Sequence, residues 1–345
     1  MSPLPPLAQS DLDEILADTA PLWEQMRGQS LFLTGGTGFF GTWLLESFLH
    51  ANRALTLNAR VTVLTRNPAA FAAKAPHLAG NSAVTFLAGD IRSFKFPPGE
   101  FPFLLHAATE ASAALVASNP AEMLSTIVEG TQHVLRFAAQ AGTRKLLLTS
   151  SGAVYGRQPS DLLHVPEDYL GAPDPLAPAS VYGEGKRIAE LLCCLAASPA
   201  FEVKIARCFA FLGPHLPLDT HFAAGNFLAD ALAGRPIAIA GDGRALRSYL
   251  YASDLAVWLW TLLFQAPSAR AYNVGSEHDV SIAQLARAAA RTVAPELTVT
   301  IAGKPSNAPP PRYVPSTRRA QDELRLRETV SLDEALRRTL AWHRL

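Results

Sequence analysis

The sequence predicts an α/β protein, a doubly wound parallel sheet with a smaller C-terminal lobe over its carboxyl edge. Three observations carry this. Short apolar runs near 31–33, 61–64, 84–87, 102–105 and 145–149 recur with helical stretches between them, notably 120–141 and 181–197. Strands that read as apolar throughout, rather than alternating, are buried on both faces, as in a parallel sheet covered by helices. The run SLFLTGGTGFFGTWLL at 30–45 places an apolar strand, a glycine-rich turn and an apolar-periodic helix in immediate succession. Beyond Val203-Lys204-Ile205 the pattern changes to a Pro/Gly cluster at 213–217 and then helices alternating with very short strands.

Residues 1–28 read as a Pro-bearing arm and one amphipathic helix (Leu12, Ile15, Leu16, Leu22, Trp23), packed on the domain or on a partner. Residues 29–205 form the sheet domain and 206–345 the lobe, with 253–274 able to return to the sheet. Within the lobe, helices are expected at 222–233, 253–265, 281–292 and 331–343, and strands at 237–239, 271–274 and 298–301. The Pro-rich stretch KPSNAPPPRYVPS is expected to be a loop.

Composition narrows the function classes. The chain has 345 residues, 49% of them hydrophobic and 17% charged, so it can bury a large core and is not disordered. Thirty basic residues balance thirty acidic ones, so no global field draws it to nucleic acid or acidic membranes. An anionic ligand must be met locally. Cys193, Cys194 and Cys208 form no disulfide framework or zinc spacing, and Cys193-Cys194 read as core thiols of a helix. The N-terminus lacks a secretion signal, and the most apolar stretch, 256–264, is too short to span a bilayer. A cytoplasmic protein is expected. The nine histidines are scattered without metal spacing; His221 is read as a packing or surface residue, and Tyr155 and Tyr251 as pocket or core aromatics.

In the glycine turn, Gly36, Gly38 and Gly41 have G-x-G-x-x-G spacing and Gly35 precedes them. Glycine allows the tight turn, the approach of backbone to phosphate, and close packing of helix on strand. The helix N-terminus offers unpaired N–H groups to an anion. The turn, with Thr37, Phe39 and Phe40, is therefore read as the diphosphate cradle of a dinucleotide, which makes the sheet Rossmann-type. An NAD site usually carries Asp or Glu at the end of the second strand. Here that strand ends Thr65-Arg66-Asn67, and no acidic residue occurs between Glu46 and Asp90. Arg66 is placed to meet a 2′-phosphate; its other reading is stacking on adenine or facing solvent. NADP(H) is thus favoured over NAD(H). Asp90, followed by Ile91, either accepts the adenine amino group or serves as a helix N-cap or turn residue.

A second constellation sets Ser150-Ser151-Gly152 at a strand end before Tyr182-Gly183-Glu184-Gly185-Lys186 at a helix start. Residues i and i+4 share a helix face, so the Tyr182 phenol and Lys186 ammonium address one pocket. A free phenol ionises near pH 10; bringing it to about 7 takes roughly 4 kcal/mol of preferential phenolate stabilisation. A fixed ammonium and an oxidised nicotinamide can supply that together, with Ser151 hydrogen-bonding the same substrate oxygen.

At these residues the chain resembles the extended short-chain dehydrogenase/reductases, the NAD(P)-dependent nucleotide-sugar epimerases and dehydratases. The resemblance runs from about residue 30 to the C-terminus. It rests on GGTGFFG, GDIR, HAATE (106–110), LLLTSSGAVYG, YGEGK, AGDGRALRSYLYASDLA, YNVGS and RYVPST. It implies Tyr182 as acid/base, Lys186 as its partner and ribose anchor, and Ser151 as the hydroxyl-binding residue. It also implies cofactor contacts at Ala107 and Ala108, and contacts from Asn226 and Arg247 to the diphosphate of a nucleoside-diphosphate sugar. By the same resemblance, helices 120–141 and 181–197 pair across a two-fold axis in a homodimer. Two departures stand out. Hexose 4,6-dehydratases of the family carry Asp-Glu directly after the Ser/Thr, whereas this chain has Gly152-Ala153, so dehydration is disfavoured unless Glu110 or another carboxylate reaches in. Ile127 replaces the usual Asn of the middle helix. The expected chemistry is hydride transfer at a sugar carbinol or ketone, most plausibly C4, by a reductase or an epimerase. A dehydratase or decarboxylase is the alternative, and a non-catalytic dinucleotide sensor a lesser one.

Overall fold

Strand side chains alternate between two faces, and in this chain both faces are apolar. In the central strand β1 (Ser30–Thr34), Leu31 and Leu33 join one buried cluster while Phe32 joins the other. The computed structural model describes residues 3–108, 116, 118–218, 223–294 and 296–345. Around β1 lie β2 (Arg60–Thr65), β3 (Val84–Ala88), β4 (Phe103–His106), β5 (Lys145–Ser151) and β6 (Glu202–Cys208). The lobe contributes short strands β7 (Phe211–Leu212), β8 (Ile237–Ile239), β9 (Leu246–Ser248) and β10 (Leu250–Tyr251). Then come β11 (Arg270–Val274), β12 (Asp279–Ser281), β13 (Val299–Ile301) and β14 (Arg312–Tyr313). The main sheet has seven parallel strands in the order β11-β6-β5-β4-β1-β2-β3. The order reverses between β1 and β4, where Thr34 stands beside His106. That reversal opens a crevice at the carboxyl edge, the usual ligand position in open α/β sheets.

The helices are α1 (Gln9–Thr19), α2 (Phe39–Ala54), α3 (Pro68–Lys74), α4 (Pro76–Ala79), α5 (Pro120–Gln140) and α6 (Val181–Ala196). Beyond them lie α7 (Ala223–Leu232), α8 (Ala252–Gln265), α9 (Ile282–Val293), α10 (Arg318–Leu324) and α11 (Leu332–Trp342). Several begin where local chemistry dictates. Asn119 caps α5 through Glu122 N–H at 3.2 Å, with Pro120 in the first position, and Ser281 with Gln284 forms a capping box on α9.

Helices α2 and α8 and the N-terminal segment cover one face. Trp23 packs on Trp260 with ring centroids 4.6 Å apart, and Tyr251 donates to buried Asp11 at 2.9 Å. The other face carries α5 and α6 over a cluster of Phe32, Phe94, Phe101 and Phe137. Strand β11 follows much of the lobe in sequence yet forms the edge of the main sheet. The Pro-rich stretch is more ordered than a loop: Arg312–Tyr313 pairs in parallel with β9, and Val314 is buried.

Candidate active site

The glycine turn follows β1 directly. Gly35 has φ +71°, and a Cβ there would lie 2.4 Å from the Ala107 carbonyl oxygen. A Cβ on Gly36 would meet Val63 Cγ1 at 2.6 Å, and one on Gly41 would meet the Gly35 oxygen at 2.2 Å. These three glycines are required by the fold. Gly38 differs: it is exposed, and its Cβ would meet only the Gly35 oxygen, at an ordinary 3.5 Å. Packing gives no reason for glycine at 38, whereas close approach of an anion does. Gly38 also caps α2 without a side-chain acceptor, which leaves the first-turn N–H groups for a ligand. The residues fit a dinucleotide diphosphate.

Thr34 Oγ1 ties this turn to the crossover beside it, accepting from Ala107 N–H at 3.1 Å and Ala108 N–H at 3.2 Å. It lies 2.9 Å from His106 Nδ1, and His106 Nε2 lies 3.1 Å from Thr131 Oγ1, which itself donates to the Ile127 carbonyl. Both hydroxyls then fix His106 as the neutral Nε2–H tautomer. Its pKa falls to about 3, through burial and the nearby Lys186 charge. Arg66 is exposed just past β2. Past β3, both Asp90 oxygens accept from Arg92, at 2.8 and 3.0 Å, and Oδ1 also takes Arg92 N–H, so Asp90 holds a turn. Ile91 is buried against Gly130 of α5.

The second constellation converges on the same edge. Ser151 ends β5, and its Oγ accepts Ala153 N–H at 3.2 Å, capping the 3-10 turn Gly152–Tyr155. Two glycines bring α6 in closely: a Cβ on Gly183 would lie 2.7 Å from the Ala153 oxygen, and one on Gly185 would lie 3.0 Å from Ile127 Cδ1. Ile127 thus supplies the apolar surface on which α6 rests. Buried Lys186 donates to the Thr149 carbonyl at 2.7 Å, with its Nζ 5.9 Å from the Tyr182 ring centre. Burial lowers the Lys186 ammonium to about 8. Tyr182 is pushed up to about 12 by burial, against a Ser151 hydrogen bond that favours its phenolate. The protein's own groups therefore leave a neutral phenol, and bringing it into the neutral range needs another positive charge nearby.

Sequence reasoning passed over a polar support beneath this pair. Ser150 Oγ donates to Glu190 Oε1 at 2.5 Å, and Glu190 pairs with Arg207 of β6 at 2.7 Å. Arg207 also donates to the Tyr155 hydroxyl at 2.9 Å, and Tyr155 donates to Asn273 at 2.7 Å. Tyr155 and Tyr251 are both buried. Tyr313 was also missed; its hydroxyl lies 3.5 Å from Ser151 Oγ. Arg247 is its neighbour, with the guanidinium carbon 5.8 Å from the Tyr313 ring. Asn226 is exposed on the first turn of α7. Glu110 and His221 lie outside the described residues. Among the described residues no group of three or more His, Cys, Asp or Glu could hold a metal ion, and no helix is long and apolar enough to cross a membrane.

Comparison with known proteins agrees with this geometry. A model of the NAD dependent epimerase/dehydratase family matches residues 31–275. UDP-glucuronic acid decarboxylase 1 of Arabidopsis thaliana is 30% identical over 322 residues, covering 90% of this chain and 69% of that protein. The fold is similar to UDP-glucose 4-epimerase from Thermotoga maritima, solved with UDP-glucose (TM-score 0.75, 20% identity, 92% and 99% of the two chains). It is also similar to RMD from Pseudomonas aeruginosa, solved with NADPH (TM-score 0.68, 22% identity, 92% and 100%). With the glycine turn, the Tyr182/Lys186 pair and the sheet reversal in one crevice, the chain belongs to the NAD dependent epimerase/dehydratase family and is a nicotinamide-dinucleotide enzyme of the extended short-chain dehydrogenase/reductase type.

Proposed function

We propose that this enzyme transfers hydride at the C4 carbinol or ketone of a nucleoside-diphosphate hexose, as a reductase or epimerase with Tyr182 as acid/base. The observation that carries this reading is the convergence of Ser151, Tyr182 and Lys186 at the carboxyl edge beside the glycine turn. When bound, the nicotinamide would supply hydride exchange with the sugar carbon. Tyr182 takes or returns the proton of the reacting hydroxyl, and Ser151 holds the same oxygen. Lys186, fixed through the Thr149 carbonyl, places an ammonium beside the phenol and would anchor the nicotinamide ribose. Gly35 to Gly41, with Thr37, Phe39 and Phe40, hold the cofactor diphosphate, and Ala107 and Ala108 line its path. Asp90 and Ile91 border the adenosine. Arg66 favours NADP(H) over NAD(H) by a charge-assisted bond to a 2′-phosphate. Asn226 and Arg247 meet the substrate diphosphate locally, in keeping with a formal net charge of zero.

The exposed leucines of α6 support a homodimer. Ile188, Leu191 and Leu195 form a stripe 38%, 59% and 74% exposed, with Leu124 of α5 at 37%. Apolar residues at this helical spacing suit burial against the same helices of a second copy. The three free thiols favour work in the reducing cytoplasm.

The Arabidopsis relative supports a second reading, decarboxylation of a nucleotide-linked uronic acid. Oxidation at C4 makes the C6 carboxylate a β-keto acid, which loses carbon dioxide without an added acid pair. Dehydration is less well supported: a side chain at position 152 would run into Phe209 and Tyr313, at 2.6 and 2.7 Å from its Cβ. The test is to unfold purified protein, identify any released dinucleotide, and screen nucleoside-diphosphate hexoses, uronic acids and 4-keto sugars by mass. Epimerisation leaves mass unchanged, reduction adds two hydrogens, and the lyase reactions remove carbon dioxide or water. Unchanged turnover in Tyr182→Phe would overturn the assignment.

A further inference from the structure

The volume beside Ser151 is filled by a side chain for which the mechanism above has no use. Tyr313 stands on β14, and the parallel pairing of β14 with β9 sets it level with Arg247. Its ring lies against Phe209, with centroids 4.6 Å apart, and the Arg247 guanidinium carbon lies 5.8 Å from the centroid of the same ring. Its hydroxyl, 3.5 Å from Ser151 Oγ, stands where a Cβ on Gly152 would come within 2.7 Å. The absence of a side chain at Gly152 leaves the room that the Tyr313 hydroxyl takes.

Hydrogen-bond bookkeeping at Ser151 gives this phenol a task. A serine hydroxyl has one proton to donate and two lone pairs. Ala153 N–H fills one lone pair at 3.2 Å. We propose that the Tyr313 hydroxyl donates into the other, so that the Ser151 proton is aimed at Tyr182 and the reacting oxygen, and that Tyr313 is thereby a positioning residue for the acid/base. The inference rests on the reading of Tyr182 as acid/base. Burial raises the Tyr313 pKa well above the ordinary tyrosine value, which keeps it a protonated donor throughout the working range. A serine that accepts two hydrogen bonds is a stronger donor to a phenolate. The effect of Tyr313 is therefore to ease ionisation of Tyr182.

Among the described residues, the titratable and charged groups facing this assembly are Lys186 and Glu190 on α6, His106 on β4, Arg207 and Cys208 on β6, and Arg247 on β9. Glu190 and Arg207 are paired with one another. Burial holds the Cys208 thiol up at about 12, and His106 is neutral. Lys186 and Tyr313 are thus the groups whose state bears most on Tyr182.

The test is Tyr313→Phe, which keeps the ring on Phe209 and removes only the hydroxyl. Phenol ionisation is followed by ultraviolet absorbance in the complex with NADP+ or NAD+, and the Tyr182 step is assigned by its loss in Tyr182→Phe. That step should move up by about half to one pH unit. With a sugar alcohol oxidised by NADP+ or NAD+, the direction in which Tyr182 acts as base, kcat/KM should fall about three- to tenfold below the step and recover above it, because only the fraction of phenolate has changed. In a Ser151→Ala background, removing the Tyr313 hydroxyl should move the step no further. An unmoved step, a further shift in that background, or a rate loss equal at every pH would overturn the proposal. If wild type turns over no nucleotide sugar, the functional reading fails while the cofactor-complex titration still judges Tyr313.

Discussion

Gly38 and Gly41 belong to one spacing motif but serve different masters, and replacing each with alanine separates fold from function. At Gly41 an added methyl would lie 2.2 Å from the Gly35 oxygen and 2.3 Å from Gly36 Cα. Both are backbone atoms, so the turn must shift, and Gly41→Ala should cost about 2–4 kcal/mol of stability, as overpacking against fixed neighbours does. At Gly38 the methyl meets a single atom at 3.5 Å, and φ −90°, ψ −174° is open to alanine. The weaker N-cap and the reduced freedom of the unfolded chain oppose one another there, so the net stability change should stay within about 1 kcal/mol. In the proposed cradle the same methyl would stand where the cofactor diphosphate approaches the first turn of α2. Losing one charge-assisted hydrogen bond, roughly 1.5–3 kcal/mol, corresponds to about 10- to 150-fold in Kd. Urea unfolding gives the first quantity and fluorescence titration with NADPH and NADH the second. If Gly38→Ala destabilised the protein as much as Gly41→Ala while binding both cofactors normally, the cradle assignment would be refuted.

Three further outcomes are expected. Arg66→Ala should weaken NADPH about 10- to 100-fold and leave NADH nearly unchanged, measured by the same titration; equal losses would remove Arg66 from the 2′-phosphate site. Leu191→Glu with Leu195→Glu should convert a dimer to monomer in sedimentation at micromolar concentration, since two charges would be buried unpaired; an unaltered mass would place the interface elsewhere. Glu46 is buried, accepts Leu7 N–H at 2.8 Å, and has His77 and His215 each at 3.3 Å. Burial raises its pKa, but those hydrogen bonds outweigh it and hold the carboxyl below the ordinary 4.5. A depressed carboxyl stabilises above its unfolded value and loses that contribution as pH falls through the folded one. Glu46→Gln should therefore cost about 1–3 kcal/mol at pH 6–7, and its difference from wild type should shrink in urea unfolding as pH falls below the ordinary 4.5.

Much of the framework was legible because it is written locally. The apolar strands, the glycine turn after β1 and the i, i+4 pair Tyr182/Lys186 each depend on a few adjacent residues, and the structure brings them to one edge. Boundaries moved little; strand character runs past the change of pattern after Ile205, with β6 reaching Cys208. What stayed hidden depends on distant pairing. Tyr313 lies in a stretch whose prolines argue for a loop, and it reaches Ser151, 162 positions earlier in the chain, only because two residues join β9. Glu190 reads as an ordinary charge on an amphipathic helix until Arg207 arrives from β6 to meet it. Asp90 was open between ligand contact and turn; Arg92, two residues away, engages both of its oxygens.

Strand β11 has a consequence for how the molecule is made. It is the last strand added to the seven-stranded sheet, and it comes from residues 270–274 of a 345-residue chain. During synthesis β6 must wait as an open margin, with its ladder groups on that side unmatched, while the whole stretch between Phe211 and Gln265 emerges. A fragment ending between β10 and β11, near residue 250, would present that margin permanently and invite self-association. The sheet domain is in this sense not a separable module: its outermost strand is delivered only after nearly half of the companion lobe has left the ribosome.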